Sequence, residues 1–235
     1  LIWLHGGPYR QTSIGYHPFH SYGIYDGILE TLRQSGVIIF KLDYHGSLGF
    51  GRDYAESLKG SVGEVDVQHV MQAIEAIKGS YPSIEDIYLA GNSYGGYLSL
   101  KTIVEHPSEF KGAMSINGVT DWESLLVRIG TSILNVHFNG LPNKDNRALY
   151  NQASIFNRLK NLNKEKIIII HSENDRTIPL VQGMLLVNKL KENKKAYTFI
   201  TYKKEDHVLK YKKNIFDLCR QMLIMVEKTS PDCKK

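Results

Sequence analysis

The chain has 235 residues, of which 42% are hydrophobic and 23% are charged. Such a length fits one α/β domain, and such a composition supports a buried core beneath an ordinary charged surface. The net charge of +5 is modest, and acidic residues interrupt the lysine-rich stretch from 189 to 213. No nucleic-acid-binding signature accompanies that stretch, so we interpret it as a solvated face and expect no nucleic-acid partner.

The cysteines and the apolar runs bear on where the protein resides. Cys219 lies on the apolar stripe of a predicted helix and Cys233 lies in a polar tail, so we expect no disulfide scaffold and a reducing, cytoplasmic compartment. The longest aliphatic run, residues 167–170, is far too short to cross a bilayer, and we expect no membrane association. The chain begins at Leu1, without Met and inside an apolar run, which favours a true N-terminus further upstream.

Short apolar runs alternate with amphipathic segments along the chain, a pattern typical of a parallel sheet covered by helices. Six mostly continuous runs predict strands buried on both faces: residues 1–4, 37–42, 87–90, 112–116, 166–170 and 197–201. Apolar residues at helical spacing predict helices around residues 67–77 and 215–226. Glu64 and Asp66 fall in the first turn of the former, where acidic side chains favour the helix dipole.

The domain limits follow from this pattern. Residues 125–150 break the alternation, and we expect them to form an excursion over the sheet. We predict one α/β domain over residues 1–227 and a polar C-terminal tail over residues 228–235.

The clearest chemical motif is Gly91-Asn92-Ser93-Tyr94-Gly95, which follows the third predicted strand and opens a helix. A tight turn between strand and helix requires small residues around the serine, whose hydroxyl then stands exposed at the helix N-terminus. This context predicts a nucleophile elbow, with Ser93 as the nucleophile. A phosphate-binding loop is disfavoured, because no Lys-Ser/Thr ends it and its glycines do not fit GxGxxG. A turn that only packs is the other alternative.

A serine hydroxyl needs a base near neutral pH, and two later loops offer partners in the order that an α/β-hydrolase requires. Asp175 follows the fifth predicted strand and His207 follows the sixth. We therefore predict a triad in which His207 is the general base for Ser93 and Asp175 orients the imidazole. Three residues compete for these roles: Asp121 and Glu173 as acids, and His171 as a base. The strand-end position of His171 favours a supporting role in the acid loop instead.

The segment His5-Gly6-Gly7-Pro8 follows the first predicted strand, where an HGG-type loop supplies a backbone N–H to an oxyanion hole. We predict a backbone N–H of this loop and the N–H of Tyr94 as the two donors. A plain turn is the alternative. The nine histidines are scattered without an HExxH or a paired CxxC motif, so we expect no metal site.

Together these segments resemble the prolyl oligopeptidase family of serine peptidases, most of all its acylaminoacyl-peptidase-like branch. The resemblance covers nearly the whole chain in the family's order: residues 5–8, 43–52, 63–67, 91–95, 171–179 and His207. It implies an α/β-hydrolase fold, a peptide or acyl-peptide substrate, and no metal or organic cofactor. It carries over Ser93, Asp175 and His207 as the triad, with Gly7 and Tyr94 as oxyanion donors.

The sequence also departs from the family's pattern. Ser172 stands where the family usually has Gly, and Asn92 stands where it often has Trp or Gly. The family's N-terminal β-propeller and the strands before the HGG strand are not encoded here. Their absence predicts an exposed sheet edge at residues 37–42, through which the chain could self-associate. Three functions therefore remain open: a serine peptidase, a carboxylesterase with the same triad, and a catalytically silent folded or partner-binding module.

Overall fold

Six parallel strands form one sheet in the order β2-β1-β3-β4-β5-β6. The structure is a computed structural model that describes residues 1–129, 133–229 and 233. The strands are β1 (Ile2–Leu4), β2 (Phe40–Leu42), β3 (Tyr88–Asn92), β4 (Gly112–Ile116), β5 (Lys166–Ser172) and β6 (Thr198–Tyr202). All six apolar runs that predicted strands therefore contribute to the sheet.

Helices connect successive strands. They are α1 (His20–Gln34), α2 (Arg52–Glu56), α3 (Val65–Ser80), α4 (Tyr94–Glu105), α5 (Trp122–Ile129), α6 (Arg147–Ala153), α7 (Val181–Glu192) and α8 (Lys212–Met225). Short 3-10 helices cover Pro107–Glu109, Ile133–Phe138 and Phe156–Asn161. In the described part of the chain, no helix is long and apolar enough to span a membrane.

Apolar clusters fill both faces of the sheet, because successive side chains of a strand point to opposite faces. In β5, Ile167 and Ile169 join the cluster under α3, α4 and α7, whereas Ile168 and Ile170 join the cluster under α1 and α8. A strand buried on both faces reads as a continuous apolar run, which is why β5 could be predicted from its sequence.

Some observed strands are longer than predicted and others are shorter. β5 ends at Ser172, two residues beyond the predicted end, and β2 covers only residues 40–42 of the predicted 37–42. β2 lies at one edge of the described sheet, as expected. The segment 125–150 contains most of α5, a 3-10 helix and the start of α6, and its residues 130–132 lie outside the described residues.

The two cysteines are paired, although the sequence predicted no disulfide scaffold. Cys219 in α8 and Cys233 form a disulfide, with their Cα atoms 5.7 Å apart. Both cysteines are buried in the apolar cluster that α8 forms with the sheet, so Cys233 packs against this helix although it was predicted to lie in a polar tail. Disulfides persist in oxidising compartments, and the pairing removes the reason for placing the protein in the cytoplasm.

Candidate active site

The predicted site residues lie at one edge of the sheet. Gly7 follows β1, Ser93 follows β3, Asp175 follows β5 and His207 follows β6. Because all six strands are parallel, their carboxyl ends meet at the same edge, which is where ligands bind in open α/β sheets. Topology alone therefore brings these four residues to one side of the molecule.

Ser93 occupies a strained turn between β3 and α4. Its φ of 55° and ψ of −119° lie in a region that residues with a side chain rarely adopt. The Ser93 N–H donates to the Ile116 carbonyl at 2.8 Å, which ties the turn to β4. A Cβ atom at Gly95 would lie 2.0 Å from the Leu4 carbonyl oxygen. Contact with the β1 backbone thus requires the small residue that the elbow motif predicts.

Asp175 and His207 are joined by a short hydrogen bond between the loops after β5 and β6. The distance from His207 Nδ1 to Asp175 Oδ2 is 2.7 Å, and the Asp175 side chain is completely buried. The other carboxylate oxygen accepts the N–H groups of Thr177 at 2.9 Å and Ile178 at 2.7 Å. Since Nδ1 faces the carboxylate, Nδ1 holds the proton of the neutral imidazole and Nε2 keeps its lone pair.

The Ser93 hydroxyl is not hydrogen-bonded to this pair among the described residues. Catalytic hydrogen bonds are often long in free enzymes and tighten when substrate binds. The structure therefore brings the predicted acid and base into contact and places the predicted nucleophile at the end of β3, separated from their loops by β4.

Asn117 connects the end of β5 with the loop that carries His207, and the sequence did not predict this role. It follows β4 with a positive φ of 49°. Its Nδ2 atom donates to the His207 carbonyl at 3.0 Å and to Ser172 Oγ at 3.1 Å, and its Oδ1 atom accepts the Ser172 N–H at 2.7 Å. One side chain thus holds both the end of β5 and the backbone of the histidine. The Asn117-Gly118 pair at a strand end was the signal in the sequence, because both residue types tolerate positive φ.

The rival residues have other partners. The backbone N–H of Asp121 donates to Gln182 Oε1 at 2.8 Å, and Glu173 accepts a hydrogen bond from Thr201 at 2.8 Å. His171 is buried, with Nε2 2.8 Å from the Ile178 carbonyl. It therefore braces the loop that carries Asp175, which is the supporting position that its sequence context favours. Burial lowers the pKa of His171, which keeps its imidazole neutral.

Two carboxylates shape the loop that carries His207. Glu205 is fully buried and accepts the N–H groups of Lys210 at 2.8 Å and Tyr211 at 2.9 Å. Hydrogen bonds from the His207 N–H and from Arg176 lower the pKa of Asp206 to about 2. Asp206 therefore stays ionised. Both acidic side chains hold the loop in place, and within the described residues neither forms a hydrogen bond with the imidazole ring.

Neither of the two predicted oxyanion donors has a hydrogen-bond acceptor in the part of the chain that the structure describes. Gly7 is exposed, with a φ of 140° that favours glycine, and its N–H has no acceptor among the described residues. The Tyr94 N–H belongs to the first residue of α4, where a helix leaves its N–H groups without internal partners. The Tyr94 N–H lies at the N-terminus of α4, where the helix dipole favours negative charge.

Comparison with known proteins places the chain in a family. The sequence profile of the prolyl oligopeptidase family matches residues 25–230. The chain belongs to the prolyl oligopeptidase family. The expected family is confirmed, and it is a family of serine-type hydrolases.

Relatives of this chain within the family are much longer than the chain itself. An acylamino-acid-releasing enzyme of Arabidopsis thaliana is 25% identical over 218 residues, which are 88% of this chain and 27% of that protein. The solved structure of an acylaminoacyl peptidase of Pyrococcus horikoshii superposes on this chain with a TM-score of 0.70 and 25% sequence identity. The superposition covers 88% of this chain and 32% of the peptidase chain. The chain therefore spans roughly a quarter to a third of the length of these relatives.

The solved structures also confirm the α/β-hydrolase fold expected from the resemblance. A puromycin-hydrolysing peptidase of Mycobacterium tuberculosis superposes with a TM-score of 0.80 over 95% of this chain and 33% of its own. Its sequence identity is 23%, so this likeness shows the fold alone.

Proposed function

We propose that this chain is the catalytic part of a serine peptidase that cleaves peptide or acyl-amino-acid bonds through an acyl-enzyme on Ser93. The observation that carries the proposal is the 2.7 Å bond between His207 and Asp175 at the same sheet edge as the strained Ser93 turn. Membership of the prolyl oligopeptidase family supports the same chemistry.

In the acylation step, His207 Nε2 removes the proton from the Ser93 hydroxyl as the oxygen attacks the scissile carbonyl. Asp175 stabilises the imidazolium that forms, since its carboxylate accepts the Nδ1–H. The imidazolium then gives its proton to the leaving amine, and the carbon–nitrogen bond breaks. Water attacks the resulting ester by the same sequence, with His207 again as base, and releases the acid product and free Ser93.

The tetrahedral intermediate places a negative charge on the former carbonyl oxygen. The N–H groups of Gly7 and Tyr94 are the donors that we assign to this oxygen. Losing one such donor typically costs about 2.7–4 kcal/mol of transition-state stabilisation. Neither N–H group donates a hydrogen bond to another of the residues that the structure describes, so no such bond must break before they meet the substrate.

The substrate class rests on the relatives. The proteins most similar in sequence include acylamino-acid-releasing enzymes, and we propose that the protein containing this chain acts on peptides or acylated peptides. An ester substrate needs the same acyl-enzyme but no protonation of a leaving amine, so comparing an ester with an amide distinguishes a peptidase from a carboxylesterase.

The test compares p-nitrophenyl butyrate with N-acetylalanine p-nitroanilide, with Ser93→Ala as the matched inactive variant. Hydrolysis of both substrates, lost together in the variant, is the expected result. Ester hydrolysis without any anilide cleavage would identify a carboxylesterase. Equal rates for the folded wild type and the folded variant would identify a catalytically silent module.

A further inference from the structure

Asp66 is a buried acid that the proposed mechanism does not use. It lies in the first turn of α3 and is completely inaccessible to solvent. The Tyr94 hydroxyl donates to its Oδ2 atom at 2.6 Å, and the Val67 N–H donates to its Oδ1 atom at 3.0 Å. Burial raises the pKa of Asp66 to about 6, against the opposing effect of these hydrogen bonds. Burying a carboxyl group costs free energy unless it is hydrogen-bonded to partners that are held in place.

Tyr94 stacks against a second buried tyrosine. The rings of Tyr94 and Tyr44 lie 5.6 Å apart with an interplanar angle of 13°, and the His5 imidazole stacks on the other side of Tyr44 at 4.5 Å. The Tyr44 hydroxyl donates to the His5 carbonyl at 2.7 Å. We call Asp66, Tyr94, Tyr44 and His5 the tyrosine bridge.

The tyrosine bridge connects the two backbone segments that carry the oxyanion donors. Tyr94 supplies one donor N–H itself, and its ring is fixed at the far end by Asp66. His5 lies two residues before Gly7, the other donor, and both its carbonyl and its ring are held by Tyr44. Besides the direct contact of Gly95 with the backbone of Leu4 and His5, the stacked rings therefore help to set the separation of the two donors.

We propose that Asp66 is a positioning residue for the oxyanion hole and acts through the tyrosine bridge. This inference rests on the proposed function, because it assumes that Gly7 and Tyr94 donate to the substrate oxygen. Donors of this kind act on charge that develops in the transition state, and misplacing them lowers kcat while leaving KM unchanged.

The test compares Tyr94→Phe with Tyr97→Phe. Both tyrosines are fully buried in α4, and each would lose one hydroxyl: that of Tyr94 binds Asp66, and that of Tyr97 binds the Ala153 carbonyl at 2.9 Å. We expect Tyr94→Phe to lower kcat for p-nitrophenyl butyrate about tenfold with KM unchanged within twofold. We expect Tyr97→Phe to leave both constants within twofold of the wild type.

A second variant keeps the inference testable if Tyr94→Phe does not fold. Tyr44→Phe removes only the bond to the His5 carbonyl and should also lower kcat about tenfold at constant KM. Equal kcat values for Tyr94→Phe, Tyr44→Phe and Tyr97→Phe would overturn the positioning role. A fluorophosphonate probe distinguishes the two proposals: failure to label wild-type Ser93 overturns the proposed function, whereas normal labelling with equal kcat values overturns only the inference.

Discussion

Replacing Gly95 with alanine tests whether the elbow is built on direct contact with β1. The added Cβ atom would lie 2.0 Å from the Leu4 carbonyl oxygen and 2.6 Å from that of His5, whereas ordinary contact begins at 3.4 Å. The helix and the strand must therefore separate by about 1.4 Å, because backbone atoms cannot swing aside. Overpacking of this kind costs about 3 kcal/mol, which lowers the melting temperature of a domain of this size by about 6–12 °C.

Gly27→Ala is the matched control, since Gly27 lies in the middle of α1 and a Cβ atom there would meet nothing within 4 Å. It should raise the free energy of unfolding by about 0.5–1 kcal/mol through helix propensity alone. Urea unfolding measures both effects, and the rate of fluorophosphonate labelling measures the site. We expect Gly95→Ala to slow labelling about a hundredfold, because a displacement of 1 Å suffices for such a loss. If Gly95→Ala were as stable as Gly27→Ala, the contact with β1 would not determine the residue at this position.

Other variants test the acid, the buried carboxyl and the disulfide. Asp175→Asn should lower p-nitrophenyl butyrate turnover about 10⁴-fold and Asp121→Asn less than twofold; the reverse order would make Asp121 the acid. The pKa of Asp66 is raised from 3.8 to about 6, so the folded state binds the proton more tightly than the unfolded state. Its contribution to stability is complete below about pH 4 and is lost as pH rises through 6, by about 3 kcal/mol. Urea unfolding between pH 4 and 7 should show this loss in the wild type and not in Asp66→Asn, and equal slopes would contradict it. Cys233→Ser removes the disulfide to Cys219, which lies 14 positions earlier in the chain. The variant should have a free energy of unfolding about 3 kcal/mol lower than the wild type, and unchanged stability would contradict the disulfide.

The strands and the loops after them could be predicted from the sequence because their signals are local. A strand covered on both faces reads as an uninterrupted apolar run, and the run 167–170 is the clearest example. The elbow motif is equally local, because it lies within residues 91–95. Its Gly95 is required by a contact with Leu4 that leaves no room for a side chain. Chain order then assigned Asp175 and His207, and the structure brings these two into contact.

The remaining features depend on contacts between distant segments. Asn117 bonds to residues 55 and 90 positions away, and no local pattern indicates such partners. Asp66 fits the first turn of a helix, and its sequence context gives no sign that its carboxylate faces Tyr94 from another element. The disulfide depends on Cys233 packing against α8, which the polar composition of the tail argued against.

Mass-spectrometric mapping of the protein after fluorophosphonate treatment tests the central claim most directly. The probe reacts with a serine only where a base activates it and an oxyanion hole receives the displaced charge. One labelled peptide, modified at Ser93 and absent from Ser93→Ala, is the predicted result. Modification of another serine, or equal labelling of the Ser93→Ala variant, would contradict the assignment of Ser93 as the nucleophile.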